Sequence, residues 1–121
     1  ETHVFNQQEK LREVMQPFGT QLMSWGPFAE GCNHFFTDPV LSAVAEKYGK
    51  SVAQVALRFL IQRGIVVIPK STHRERMAEN FAVFDFSLSA DDMVTIGALD
   101  KKETLFFSHY DPSFIEMLIK L

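Results

Sequence analysis

Apolar positions along this chain recur at helical spacing, and six helix starts are marked by capping residues. Asn6 with Glu9 three residues on predicts a capping box, ahead of Leu11, Val14, Met15 and Phe18 on one face and Gly19 as the stop. Asp38-Pro39 predicts a cap followed by proline at the first helical position. Val40, Leu41, Val44, Ala45 and Tyr48 then share a face, and Gly49 ends the run. Ser51 and Gln54 form a second box before Val52, Val55, Ala56, Phe59 and Leu60, closed by Gly64. Thr72 with Glu75 predicts a third box. Ser89 caps a helix with Asp92 in its first turn. Asp111-Pro112 repeats the earlier start, ahead of Phe114, Ile115, Leu118 and Ile119.

Three strands are predicted between the helices: Thr20–Trp25, Ile65–Pro69 and Ala82–Phe86. The run Ile65-Val66-Val67-Ile68 is apolar and β-branched throughout, which predicts a strand buried on both faces, as in a parallel sheet covered by helices. The order is helix, strand, two helices, strand, helix, strand, helix and a tail. Such alternation implies βα units in one α/β domain. Three strands leave two unpaired edges.

Composition changes this picture in two places. Twelve of the 121 residues are Phe, enough for a large core or for half of a larger one. The chain opens on Glu1 without an initiator Met, which predicts missing upstream sequence. Charge is quiet: 12 Lys+Arg against 15 Asp+Glu gives −3, with 46% hydrophobic residues. That excludes a disordered tail and gives no electrostatic reason to bind nucleic acid. No stretch approaches the ~18 apolar residues that span a bilayer. One cysteine, Cys32, makes no internal disulfide, so a reducing, cytoplasmic setting is the simpler expectation.

In parallel βα proteins ligands gather at the carboxyl ends of strands. The first such end is Ser24-Trp25-Gly26-Pro27-Phe28-Ala29-Glu30-Gly31. Trp25 is either a flat face offered to a ring or a core residue before a tight turn. Gly26 and Gly31 have P-loop glycine spacing, but Cys32-Asn33 stands where Lys and Ser/Thr are needed, so a P-loop is excluded. The second end is Ile68-Pro69-Lys70-Ser71-Thr72-His73-Arg74-Glu75-Arg76. A helix N-terminus favours acidic residues, yet Lys70, His73, Arg74 and Arg76 crowd this one. Either an anion such as phosphate is cradled there, or the cluster is a solvated patch balanced by Glu75 and Glu79. His3, His34, His73 and His109 lack metal-ligand spacing, so no metal is expected. Nothing marks Cys32 as a nucleophile. Leu105 to Tyr110 is an aromatic segment that either walls a substrate pocket or anchors the last helix.

At both strand ends the sequence resembles the aldo-keto reductases, above all the bacterial branch that includes 2,5-diketo-gluconate reductases. The residues that carry the resemblance are Trp25-Gly26-Pro27-Phe28-Ala29-Glu30-Gly31 and Ile68-Pro69-Lys70-Ser71, followed by Arg76, Glu79 and Asn80. The pattern Lys-Ser-x-x-x-x-Arg-x-x-Glu-Asn resembles that family's motif for the adenosine 2′-phosphate of NADP(H). The resemblance runs over essentially the whole chain. It implies an (α/β)8 barrel, which typically needs about 250 residues, so residues 1–121 resemble its C-terminal half after the fifth strand, with about three parallel strands.

The resemblance also implies roles. Trp25 stacks on nicotinamide. Gly26 and Phe28 line the pyrophosphate path. Lys70, Ser71 and Arg76 hold the 2′-phosphate with Thr72 nearby, and Glu79 and Asn80 bind the adenine end. The parent reaction is reduction of a small carbonyl substrate, aldehyde or ketone, to an alcohol. The family's catalytic Tyr, Lys, Asp and His have no counterpart here, so the chain alone is expected to be inactive and the half barrel to self-associate. A non-catalytic nucleotide-binding module and a structural fragment remain as other readings.

Overall fold

The computed structural model describes residues 1–108 and 110–120; His109 lies outside them. Four predicted caps form as the sequence demands. Asp38 accepts from the N–H groups of Val40 and Leu41 at 3.0 Å and opens α2, Pro39–Tyr48. Ser51 and Gln54 complete a reciprocal capping box that starts α3, Val52–Gln62. Ser89 Oγ accepts from Asp92 N and starts α5, Ala90–Gly97. Asp111 likewise caps α6, Pro112–Ile119. Gly49 ends α2 at φ 61°, in the left-handed region that suits glycine.

Helix α3 is the spine of the core. It buries Val55, Ala56, Leu57, Phe59 and Leu60, and it packs against α2, which contributes Leu41, Val44 and Ala45. Fully burying a side chain of this size contributes roughly 1.5–3 kcal/mol. The sheet has two strands: β1, Met23–Ser24, runs parallel to β2, Val66–Val67, with Met23 opposite Val66 and Ser24 opposite Val67. Ser24, Ile65 and the half-buried Leu22 and Val67 face the helices.

Four expectations are corrected. First, Ala82–Phe86 is not a strand. Side chains of α3 occupy backbone groups that a neighbouring strand would need: Gln54 Nε2 donates to Ala82 O at 2.9 Å and Arg58 Nη1 to Val83 O at 3.2 Å. Second, β2 is not buried on both faces; Val66 and Ile68 are exposed, because no described residue covers that side of the sheet. Third, α1, Glu9–Met15, has Gln8 as its N-cap with no side-chain bond, and Asn6 is instead buried in a bridge with His3. Leu11 and Val14 of α1 are exposed, as is Phe18 in the short 3-10 turn Gln16–Phe18 that follows, by 79%. Fourth, Thr72 does not cap α4, Arg74–Phe81. His73 is the N-cap residue, and Ser71 Oγ accepts from His73 N at 3.1 Å, which closes a local turn one residue earlier.

Candidate functional site at the carboxyl ends of the strands

The parallel register brings the two distinctive segments to one edge. Trp25 and Gly26 follow β1 directly, and Ile68-Pro69-Lys70 follows β2. At the first, Gly26 has φ 65°, and its carbonyl accepts from Ala29 N at 2.8 Å. The chain then runs through Ala29–Thr37 with left-handed backbone at Ala29, Glu30, Gly31, Asn33 and His34. This irregular segment is fixed from below by Phe35, fully buried, which meets Phe28 edge-on at 6.0 Å and Phe36 at 5.2 Å.

Trp25 is not a core residue. It is 40% exposed, 5.0 Å from Phe106 and nearly parallel to Phe107 at 6.4 Å. Phe106 also lies against Gly26, where an added Cβ would sit 3.6 Å from its ring. The aromatic segment thus packs on Trp25, and Phe107 in turn stacks on Phe114 of α6 at 4.2 Å.

At the second end lies a cleft of about 590 Å³. Lys70, Ser71, Thr72, His73, Arg76, Glu79 and Asn80 line one side, and Phe28, Phe36 and residues 51–53 line the other. Seven of the nine predicted residues therefore share this cleft; Trp25 and Gly26 lie outside its lining. Phe36 and Ser51 are the residues that motif reasoning missed. Exposure of Phe36 beside buried Phe35 had no periodic signal, and Ser51 is legible only as a helix cap.

The electrostatics of the cleft are unbalanced. Among the described residues Lys70, Arg74 and Arg76 form no ion pair. Glu79 makes no ion pair with them; its carboxylate accepts a hydrogen bond from Ser51 Oγ. No side chain caps α4, so its first backbone N–H groups stay available. Lys70 and Arg76, the hydroxyls of Ser71 and Thr72, and the N-terminus of α4 thus gather at one cleft, and groups of this kind favour anions. The opposite end of the sheet provides a contrast. There a cavity of about 360 Å³ is lined by Glu9, Arg12 and Arg63, among others, and those charges are paired with one another.

Other candidate groups carry structure instead. His3 is buried; its Nδ1 accepts from Phe5 N at 3.2 Å, so Nε2 holds the proton donated to Glu1 at 2.8 Å. Burial pushes its pKa down. Cys32 is exposed and free. Among the described residues no group of His, Cys, Asp or Glu gathers where it could hold a metal, and no helix is long and apolar enough to cross a membrane.

Comparison with known proteins supports the resemblance read from the motifs. The profile of the aldo/keto reductase family matches residues 1–101. Glyoxal reductase of Bacillus subtilis is 46% identical over 96 residues, covering 79% of this chain and 34% of its own. Methylglyoxal reductase DkgA of Escherichia coli is 40% identical over 105 residues, covering 87% of this chain and 38% of its own. A crystal structure of a Gox0644 mutant in complex with NADPH superposes with a TM-score of 0.83 at 38% identity, over 89% of this chain and 39% of that one. An aldo-keto reductase from a Medee basin deep-sea metagenome library gives 0.84 at 33% identity, over 92% and 41%. The chain therefore spans well under half the length of these relatives and has the α/β architecture of part of their TIM barrel. By family match and by fold, the chain belongs to the aldo/keto reductases.

Proposed function

We propose that the chain is the cofactor-binding part of an NADP(H)-dependent oxidoreductase that reduces aldehydes or ketones to alcohols, corresponding to the second half of the barrel after its fifth strand. The observation that carries this reading is the set of cations, Lys70 and Arg76 foremost, left without carboxylate partners beside the uncapped N-terminus of α4. A 2′-phosphate supplies the missing anion. Lys70, Ser71, Thr72 and Arg76 hold it, Glu79 and Asn80 take the adenine end, Gly26 and Phe28 line the pyrophosphate path, and Trp25 stacks on the nicotinamide. NADPH, when bound, supplies the hydride. The work of this chain is to bind and orient: fixing the ring against Trp25 removes freedom that would otherwise oppose the transfer.

The carbonyl oxygen also needs a proton, and none of the residues assigned to the site donates one. We therefore assign no catalytic residue to this chain and expect it to be inactive alone. The relatives named for glyoxal and methylglyoxal reduction support a small carbonyl compound as substrate. A half barrel further implies self-association of the isolated chain, since the sheet face of Met23, Val66 and Ile68 is exposed. A cytoplasmic location is consistent with the single free cysteine.

Titration of the protein with NADPH and NADH tests the reading. Tighter binding of NADPH is expected, and equal affinity for the two would overturn it.

A further inference from the structure

We propose that Ser51 is a positioning residue for the adenine end of the cleft: it holds the Glu79 carboxylate so that the second oxygen faces a purine amino group. The proposal rests on the reading above that Glu79 and Asn80 receive the adenine. It comes from a link between two elements that the capping pattern alone does not reveal. Ser51 is the N-cap of α3, and Glu79 lies in the last turn of α4, yet Ser51 Oγ donates to Glu79 Oε1.

The bond is supported on every side. Ser51 N donates to Gln54 Oε1 at 3.1 Å, and Gln54 N donates to Ser51 Oγ at 3.2 Å. Gln54 Nε2 donates to Glu79 O at 3.2 Å and to Ala82 O at 2.9 Å. The capping box thus grips the end of α4 by both side chain and backbone. Ser51 has one hydroxyl proton, and Glu79 takes it, so Ser51 acts through Glu79 and not on a ligand directly. The other Glu79 oxygen, Oε2, has no hydrogen-bond or ion-pair partner among the described residues. Both residues line the cleft. A carboxylate fixed at one oxygen presents the other as an acceptor in a set direction. That selects a base with an amino group over one with a carbonyl at the same position.

The test compares NADP with its hypoxanthine analogue, in which a carbonyl replaces the adenine amino group. Wild type should prefer NADP. Ser51→Asp keeps a good N-cap acceptor but removes the donor and sets a like charge beside Glu79. It should stay folded at the titration temperature, weaken NADP about three- to tenfold and lose most of the preference for the amino base. Ser51→Thr, which keeps the hydroxyl, should restore both. Should Ser51→Asp fail to fold, Ser51→Gly serves, because glycine at an N-cap costs helix stability little. In a Glu79→Gln background Ser51→Gly should change base preference no further, as expected for residues acting as one unit. If Ser51→Asp or Ser51→Gly binds NADP as wild type does and keeps the base preference, the proposal is overturned while the cofactor reading stands. If wild type binds neither nucleotide, both fall.

Discussion

Trp25 and Phe107 lie with their ring planes 19° apart and their centroids 6.4 Å apart, and Phe107 passes the stack on to Phe114 at 4.2 Å. The helix that carries Phe114 otherwise shows water an apolar surface of Ile115, Leu118 and Ile119. Its docking therefore hangs largely on this stack. Aromatic pairs contribute about 0.5–1.5 kcal/mol beyond area burial. Phe114→Ala should accelerate amide exchange across Pro112–Ile119 by about two- to tenfold. Trp25 is the chain's single tryptophan, so its emission should shift in the same variant. Unchanged exchange and emission would mean that α6 is held by other contacts.

The unpaired cations of the cleft give a prediction about cofactor choice in the complete barrel. A hydrogen bond to a charged group contributes roughly 1.5–3 kcal/mol, about 10- to 150-fold in affinity. Arg76→Ala should weaken NADPH by that factor and leave NADH nearly unchanged. Lys70→Met should act in the same direction, and high salt should shrink both losses. Trp25→Ala should weaken both cofactors alike. Fluorescence titration measures the dissociation constants of both cofactors for each protein, and equal losses for NADH and NADPH in Arg76→Ala would reduce the cluster to a solvated patch.

A buried carboxylate, Asp92, joins α2 to α5. Asp92 accepts from Lys47 at 2.7 Å, Tyr48 at 2.5 Å and Ser89 at 2.6 Å. These bonds, that from Lys47 first, pull its pKa from 3.8 to about 2. A carboxyl depressed in the fold binds fewer protons there than in the unfolded chain. Its stabilisation is thus fully present above about pH 4 and fades as pH falls toward about 2. Melting temperature followed from pH 6 to pH 2 should drop across that interval. Asp92→Asn should lower stability at pH 6 by about 1–3 kcal/mol and flatten the acid limb. A variant with the same acid limb as wild type would show that other carboxylates govern it.

The open sheet face leads to a prediction about assembly. Met23, Val66 and Ile68 are exposed side by side, and each of the two strands has an edge that no described residue pairs. Purified 121-residue chain should self-associate at micromolar concentration, as read by light scattering. A charge placed on that face, Ile68→Lys, should shift the equilibrium toward monomer. A wild-type monomer with a sharp melt would count against the half-barrel reading.

The same purified chain should not oxidise NADPH with a panel of aldehydes, since the proton donor lies outside the residues assigned here. Turnover that survives removal of host reductases would overturn that expectation.

The elements that could be read from the chain alone are those whose signals are local. Asp38, Ser51, Ser89 and Asp111 cap helices because an N-cap needs only a side-chain oxygen within three residues of the N–H it accepts. The cluster of Lys70, Ser71, Thr72 and Arg76 stands out for a related reason, one strand end and one helix start that present it at fixed spacing, whereas Glu79 and Asn80 are singled out only by resemblance to the family motif. Tertiary structure decided whatever depended on distant partners. Whether Ala82–Phe86 became a strand turned on Gln54 and Arg58 reaching its backbone from α3. Thr72 lost its cap role because Ser71 closed a turn first. The exposure of Val66 and Ile68 reflects what does not cover the sheet, and apolar residues read alike whether covered or bare. Likewise Ser51 reads as a cap in the sequence; only the packing of α3 on α4 brings its hydroxyl to Glu79.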